Sequence, residues 1–300
     1  MDTHLKNQKL LLTGFVYLTA VSLIVIFAIS LFLQSQAVEY VMETSFPEVD
    51  STFPILIVKD STVTPESVTE IGKSLGFTGE AGPAGEGMIG MLSEDETKHL
   101  LAYENSGTVF YSVLEKMHPV VTSQPDLPSD DDAVKIAQSF LAERNLLPPD
   151  AKLDKVVADK QNGYNTVLQV VASGRYINGI PIVGPGNKLS VYVGEKGEVV
   201  GFLKAWKDVE ISKKAVNIKT AETAFDDMKK GNVIFATPDV DNIDIVNIKD
   251  VYIAYWVESE TQEQDSALPV YVFKGEYVYD NSQIFPFTAY VQATVDESNL

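Results

Sequence analysis

The sequence predicts an α+β protein: an N-terminal transmembrane helix followed by antiparallel sheets, each covered by short amphipathic helices. Three observations predict it. Residues 10–33 form an apolar run without a formal charge. Three later segments carry apolar residues at helical spacing. Each of these is followed by short stretches that alternate apolar and polar residues, the period of a half-buried strand.

As a helix rising about 1.5 Å per residue, the apolar run reaches roughly 36 Å, enough to cross a hydrocarbon core of about 30 Å. Lys6 and Lys9 precede it, and Glu39 and Glu43 follow with no Lys or Arg between. The positive-inside rule then places residues 1–9 in the cytoplasm. Ser35-Gln36-Ala37 also offers small residues for signal cleavage after Ala37, so an anchor and a cleaved signal both stay open. The anchor reading makes this a single-pass cell-membrane protein with lipid as the partner of residues 10–33. Both readings place the rest of the chain outside the cytoplasm.

Residues 34–52 read as a stalk, 53–125 as a small α+β domain and 126–300 as a second α+β domain. The division falls in a segment holding Pro119, Pro125 and Pro128. Residues 53–58 read as a buried strand. The first helix starts at Thr64-Pro65-Glu66, an N-cap with proline at the first helical position, and buries Val68, Ile71 and Leu75. Strands follow at 88–92, 99–103 and 108–114. The second helix starts at Ser129, with Asp130, Asp131 and Asp132 facing the positive end of its dipole. Ala133, Ile136, Ala137, Phe140 and Leu141 form its stripe. Strands follow at 166–173, 175–183, 188–193 and 199–206, with hairpin turns at Asn178-Gly179 and Glu195-Lys196-Gly197. The third helix starts at Thr220, with Ala221, Ala224, Phe225 and Met228 inward, and precedes strands at 248–257, 268–273 and 287–295.

The stretch Arg175-Tyr176-Ile177-Asn178-Gly179-Ile180-Pro181-Ile182-Val183-Gly184, with Leu189-Ser190-Val191-Tyr192-Val193 and Gly197-Glu198-Val199-Val200-Gly201 after it, resembles the PepSY and fungalysin/thermolysin-propeptide domains. The similarity covers about residues 130–230. It implies a helix-on-antiparallel-sheet fold outside the cytoplasm that inhibits, chaperones or modulates a nearby enzyme or sensor. No protease domain follows here, which removes a propeptide role in cis. The C-terminal segments Val251-Tyr252-Ile253-Ala254-Tyr255-Trp256 and Leu268-Pro269-Val270-Tyr271-Val272-Phe273 resemble YycH/YycI-type membrane-anchored regulators of a sensor kinase.

The chain has no cysteine, so disulfides, thiolate metal sites and cysteine nucleophiles are excluded. A net charge of −19 argues against nucleic acid, whose phosphates demand basic residues. His4, His99 and His118 show no ligand spacing, and neither His-Glu-x-x-His nor Gly-x-Ser-x-Gly occurs. The glycine-rich stretch from Gly79 to Gly87 carries two glutamates and reads as a surface loop rather than a phosphate cradle. The acidic run from Asp239 to Asp244 lacks the glycine and closing glutamate of a calcium loop.

No catalytic residue, cofactor or metal site is therefore expected. Arg175, Tyr176, Asn178, Gly179, Pro181, Tyr192 and Trp206 are the candidate partner-binding residues. Arg and aromatic side chains anchor interfaces, and Pro181 suggests an edge strand that could accept a peptide. The expected function is a membrane-anchored extracytoplasmic binding or regulatory module without catalytic activity, acting on a protein or peptide partner. The alternatives are a carboxylate- or metal-dependent hydrolase and a structural envelope protein.

Overall fold

Thr64 begins the first helix with a reciprocal cap: its hydroxyl accepts from the Ser67 amide, and the Ser67 hydroxyl accepts from the Thr64 amide. Ser129 caps the long helix by accepting from the Asp132 amide. These local signals place the helices where the sequence puts them. The computed structural model describes residues 38–59, 62–237, 243–259, 261–279 and 283–295.

In chain order the elements are β1 (Glu39–Met42), β2 (Thr52–Val58), α1 (Pro65–Ser74), β3 (Gly82–Gly85), β4 (Met88–Leu92), β5 (Lys98–Tyr103), β6 (Val109–Val113) and α2 (Leu114–Met117). There follow α3 (Asp130–Ala142), β7 (Leu153–Gln161), β8 (Tyr164–Ala172), β9 (Arg175–Ile177), β10 (Ile180–Val183), β11 (Asn187–Val193), β12 (Val199–Trp206) and β13 (Val209–Asn217). The last are α4 (Ala221–Lys229), β14 (Phe235–Thr237), β15 (Ile243–Trp256), β16 (Ser266–Ala267), β17 (Pro269–Tyr279) and β18 (Gln283–Gln292).

The chain divides into two compact units. Among the described residues, the first takes in 38–47, 225–252 and 272–291, the second 48–224, 253–271 and 292–295. The second unit is built on an eight-stranded antiparallel sheet of order β3-β4-β5-β6-β12-β11-β8-β7. The proline-rich segment 118–129 joins strands of this one sheet, since β6 before it pairs with β12 after it. α3 packs over β7, β8, β11 and β12, and α1 packs on β4. Ala133, Ala137 and Leu141 of α3 are fully buried there. Phe77, Tyr111 and Phe202 run through the core with ring centroids 6.2 and 5.9 Å apart, and Phe140 of α3 stands 6.0 Å from Phe202. A smaller antiparallel sheet, β13-β2-β16, makes its own core from Leu56, Val58, Ile182, Tyr255, Val257 and Ala267. The first unit carries strands β14, β18, β17 and β15 in that order, with β1 parallel to β15. Phe225 packs there on Tyr40, Phe46 and Phe273.

Three expectations are corrected. The fold is mainly β, with four α-helices against eighteen strands among the described residues, not an α+β arrangement of antiparallel sheets each under its own helices. The smaller sheet has strand residues in its core instead of a helix, and β1–β15 and β10–β15 pair in parallel. The PepSY-like description falls with that arrangement. The strands that tip the balance are polar: β7 and β13 expose most of their residues, including Asp154, Lys155, Lys213 and Lys214, so alternation does not mark them.

No helix among the described residues is long and apolar enough to cross a membrane. The expected span at 10–33, with its lipid contact and the cleavage point after Ala37, lies outside the described residues. The single-pass, cell-membrane reading and the side of the membrane it assigned are accordingly withdrawn. Third, the glycine-rich stretch is not all loop: Gly82 and Pro83 of β3 pair with Gly90 and Ile89 of β4.

Candidate functional site

A cleft of about 580 Å³ opens in the second unit. The loop after α3 forms one wall with Leu147, Pro148, Pro149 and Asp150. The turn after α3 contains the left-handed residue Asn145, and there the Leu146 amide donates back to the Leu141 carbonyl at 2.8 Å. A turn closed by the Ala151 amide on the Pro148 carbonyl, 3.1 Å, then presents Asp150. The β9–β10 hairpin forms a second wall, and β12 supplies Lys204 and Trp206.

Arg175 organises these walls. Its Nε donates to Asp150 Oδ2 at 2.6 Å and its Nη1 to the Lys207 carbonyl at 2.7 Å. The guanidinium carbon stands 4.8 Å from the centre of the Trp206 ring. Trp206 Nε1 donates to the other carboxylate oxygen of Asp150 at 3.0 Å. The Arg175 side chain is only 3% exposed. Two of its donor nitrogens and both Asp150 oxygens are thus committed inside the protein, and the group ties loop, hairpin and β12 together. Lys207 extends the network, its Nζ donating to the Gln262 carbonyl at 2.8 Å. Burial pushes the Lys207 amine pKa down, and the charge of Glu258 opposes that.

Asn178 and Gly179 have φ of +49° and +81°, the left-handed pair that a two-residue type I′ turn requires. That turn makes Ile177–Ile180 and Arg175–Ile182 the hydrogen-bonded pairs of the hairpin, with Tyr176–Pro181 the non-bonded pair between them. The Val183 carbonyl accepts from the Val257 amide at 2.9 Å, so residues 181 and 183 face away from β9. Pro181 therefore costs the β9–β10 ladder no hydrogen bond. Tyr176, opposite it, turns its own N–H and C=O to the outer side of β9. Among the described residues β9 is an edge strand and pairs only with β10. The edge is not Pro181's own strand, because β10 lies between β9 and residues 255–256.

Of the residues singled out from sequence, Arg175, Tyr176 and Trp206 meet at the cleft. Asn178, Gly179 and Pro181 shape its hairpin wall. Tyr192 is elsewhere: its hydroxyl accepts from Gln169 Nε2 at 3.2 Å across the β8–β11 ladder, and burial pushes its pKa up. Tyr176 is 63% exposed, Arg175 almost wholly buried. Sequence reading missed Asp150 and Lys204. Asp150 follows a Pro-Pro turn and carries no periodic signal. Lys204 does carry one, for it falls between Phe202 and Trp206 on a period-two face.

Among the described residues, no three His, Cys, Asp or Glu are grouped to hold a metal ion. His99 Nε2 lies 3.3 Å from the Glu96 carbonyl and outside the cleft lining, and His4 lies outside the described residues.

Comparison with family models gave no match, and neither did comparison with curated proteins. Among solved structures, the chain is similar to the crystal structure of an uncharacterized protein from Eubacterium rectale. The two share 10% identity at a TM-score of 0.48, over 87% of this chain and 88% of that one.

Proposed function

We propose that this chain is a non-catalytic binding module that takes an extended segment of a partner protein onto the free edge of β9. The observation that carries the reading is the outward N–H and C=O of Tyr176, fixed by the register of Tyr176 against Pro181. An extended segment pairs with such an edge through its main chain, and pockets beside the edge select its side chains. The cleft beside β9 offers that selection, with the exposed Tyr176 ring at its wall and Trp206 and Leu147 in its lining. The Arg175–Asp150–Trp206 network holds the wall rigid before binding, which lowers the ordering cost of association. With both oxygens accepting internal hydrogen bonds, Asp150 is better suited to positioning than to proton transfer.

A proline at 176 tests the reading. It removes the outward N–H yet leaves the β9–β10 ladder intact, because position 176 donates nothing to β10. A phage-displayed library of random dodecapeptides is selected on the full chain, and the recovered peptides are titrated against Tyr176→Pro and Tyr176→Ala. Tyr176→Ala removes only the side chain. Tyr176→Pro is expected to bind about tenfold more weakly than Tyr176→Ala, the worth of one lost main-chain hydrogen bond plus the ring's intrusion. Equal binding by the two variants contradicts strand addition at β9. Self-association that Tyr176→Pro abolishes replaces the partner with a second copy of this chain.

A further inference from the structure

Lys204 stands in the middle of the eight-stranded sheet. Its cross-strand neighbours are Leu189 on β11 and Val109 on β6, which are 2% and 3% exposed. It shares a face with Phe202, a core residue, and Trp206. The side chain is half-buried and lines the cleft. It has no ion pair or hydrogen bond among the described residues.

The other charges of the cleft are matched. Arg175 holds Asp150 at 2.6 Å, and Asp208 faces Lys59 at 3.4 Å. Lys204 is the cleft's one cation without an anion among the described residues. A lysine placed among core residues without a partner bears a desolvation cost that a bound anion would offset. Burial accordingly pushes its amine pKa down, with no opposing cause.

Resting on the strand-addition reading above, we infer that Lys204 receives an acidic side chain, Asp or Glu, of the segment that pairs with β9. The main chain of that segment is held at β9, whereas Lys204 belongs to β12. The group that reaches it is therefore a side chain projecting from the added strand into the cleft. The carboxylate gains a charge-assisted hydrogen bond in a partly dry site, where such bonds are stronger than on an open surface. The protein's net charge of −19 does not forbid this, because at physiological salt charges are screened over about 8 Å and the local amine decides.

The dodecapeptides selected on the native chain provide the test. They are expected to carry Asp or Glu at one fixed position. Replacing that residue by Gln or Asn in the peptide should weaken binding to the native protein about tenfold, the range of a charge-assisted hydrogen bond. The same replacement should make no difference to Lys204→Gln, and Lys204→Arg should restore the discrimination. Selected peptides without acid enrichment, or with equal affinity for the acidic and amide forms, overturn this inference while leaving strand addition standing. Affinity that falls on C-terminal amidation but not on Glu→Gln overturns the side-chain assignment. A library that yields no binder overturns the strand-addition reading and this inference together.

Discussion

Tyr176 of β9 stands opposite Pro181 of β10, at a non-hydrogen-bonded position of a hairpin closed by Asn178-Gly179. One register thus explains both residues: proline costs the β9–β10 ladder no hydrogen bond, and the facing tyrosine presents its main chain to the outside. The cleft beside this edge is braced by a carboxylate that Arg175 and Trp206 share.

That sharing makes Asp150 a structural residue despite its exposed position. Asp150→Ala leaves a guanidinium that is 3% exposed without its anion and should destabilise the protein by about 2–3 kcal/mol, below the usual range for a fully buried pair because Asp150 is 43% exposed. Urea denaturation measures it. The double variant Asp150→Ala/Arg175→Met should be less destabilised than the sum of the single losses, and strict additivity would remove the coupling claimed here.

Lys204 should cost stability while the cleft is empty. Its pKa is lowered in the folded protein, so over the interval up to the unfolded value of about 10.4 the unfolded chain binds more protons. Stability attributable to this residue therefore rises with pH through that interval. Lys204→Met should raise Tm at neutral pH, and the gain should shrink as pH approaches about 10–11. A gain that is constant with pH would trace the effect to packing alone.

Asp95 sits in the turn between β4 and β5. Its Oδ1 accepts from the Ser93 hydroxyl at 2.6 Å, the Thr97 hydroxyl at 2.9 Å and the Thr97 amide at 3.2 Å. These bonds favour the carboxylate and lower its pKa to about 2. The folded value is depressed, so the turn's contribution is present above the unfolded pKa and is lost as pH falls through about 2. The carboxyl carbon of Asp95 should titrate there by NMR, and Ser93→Ala should move the midpoint upward.

Gly275 of β17 packs against the Asn247 carbonyl of β15 so closely that an added Cβ would collide with it. Gly275→Ala should destabilise the unit containing residues 272–291 by roughly 1–3 kcal/mol, the usual cost of overpacking. Thermal denaturation checks this, and a neutral effect would mean that β15 and β17 can separate freely.

The helices were legible because their signals are local: Thr64 and Ser129 caps, and stripes such as Ala133, Ala137 and Leu141. The strands inside the expected units were legible where one face is buried, as at Val109–Val113. β7 and β13 were not, because an exposed edge strand has little apolar surface to alternate and Asp154 or Lys213 read as loop residues. β15 was recognised only from Ile248 onward, because Asp244 and Asn247 interrupt the apolar pattern of its first residues. At the site, Arg175, Tyr176 and Trp206 stood out by residue type. The partner that gives two of them their geometry, Asp150, is 25 residues from Arg175 and 56 from Trp206, a separation that only the fold closes.

In strand addition at β9 the docking point is the main chain of Tyr176. Amide hydrogen exchange of Tyr176, followed by NMR in the full chain with and without a selected dodecapeptide, reads that contact. Strand addition predicts fast exchange in the free protein and at least tenfold slowing at saturation, with the Arg175 and Ile177 amides, which already face β10, changing little. Saturable peptide binding that leaves the Tyr176 amide exchanging at its free rate would contradict the account.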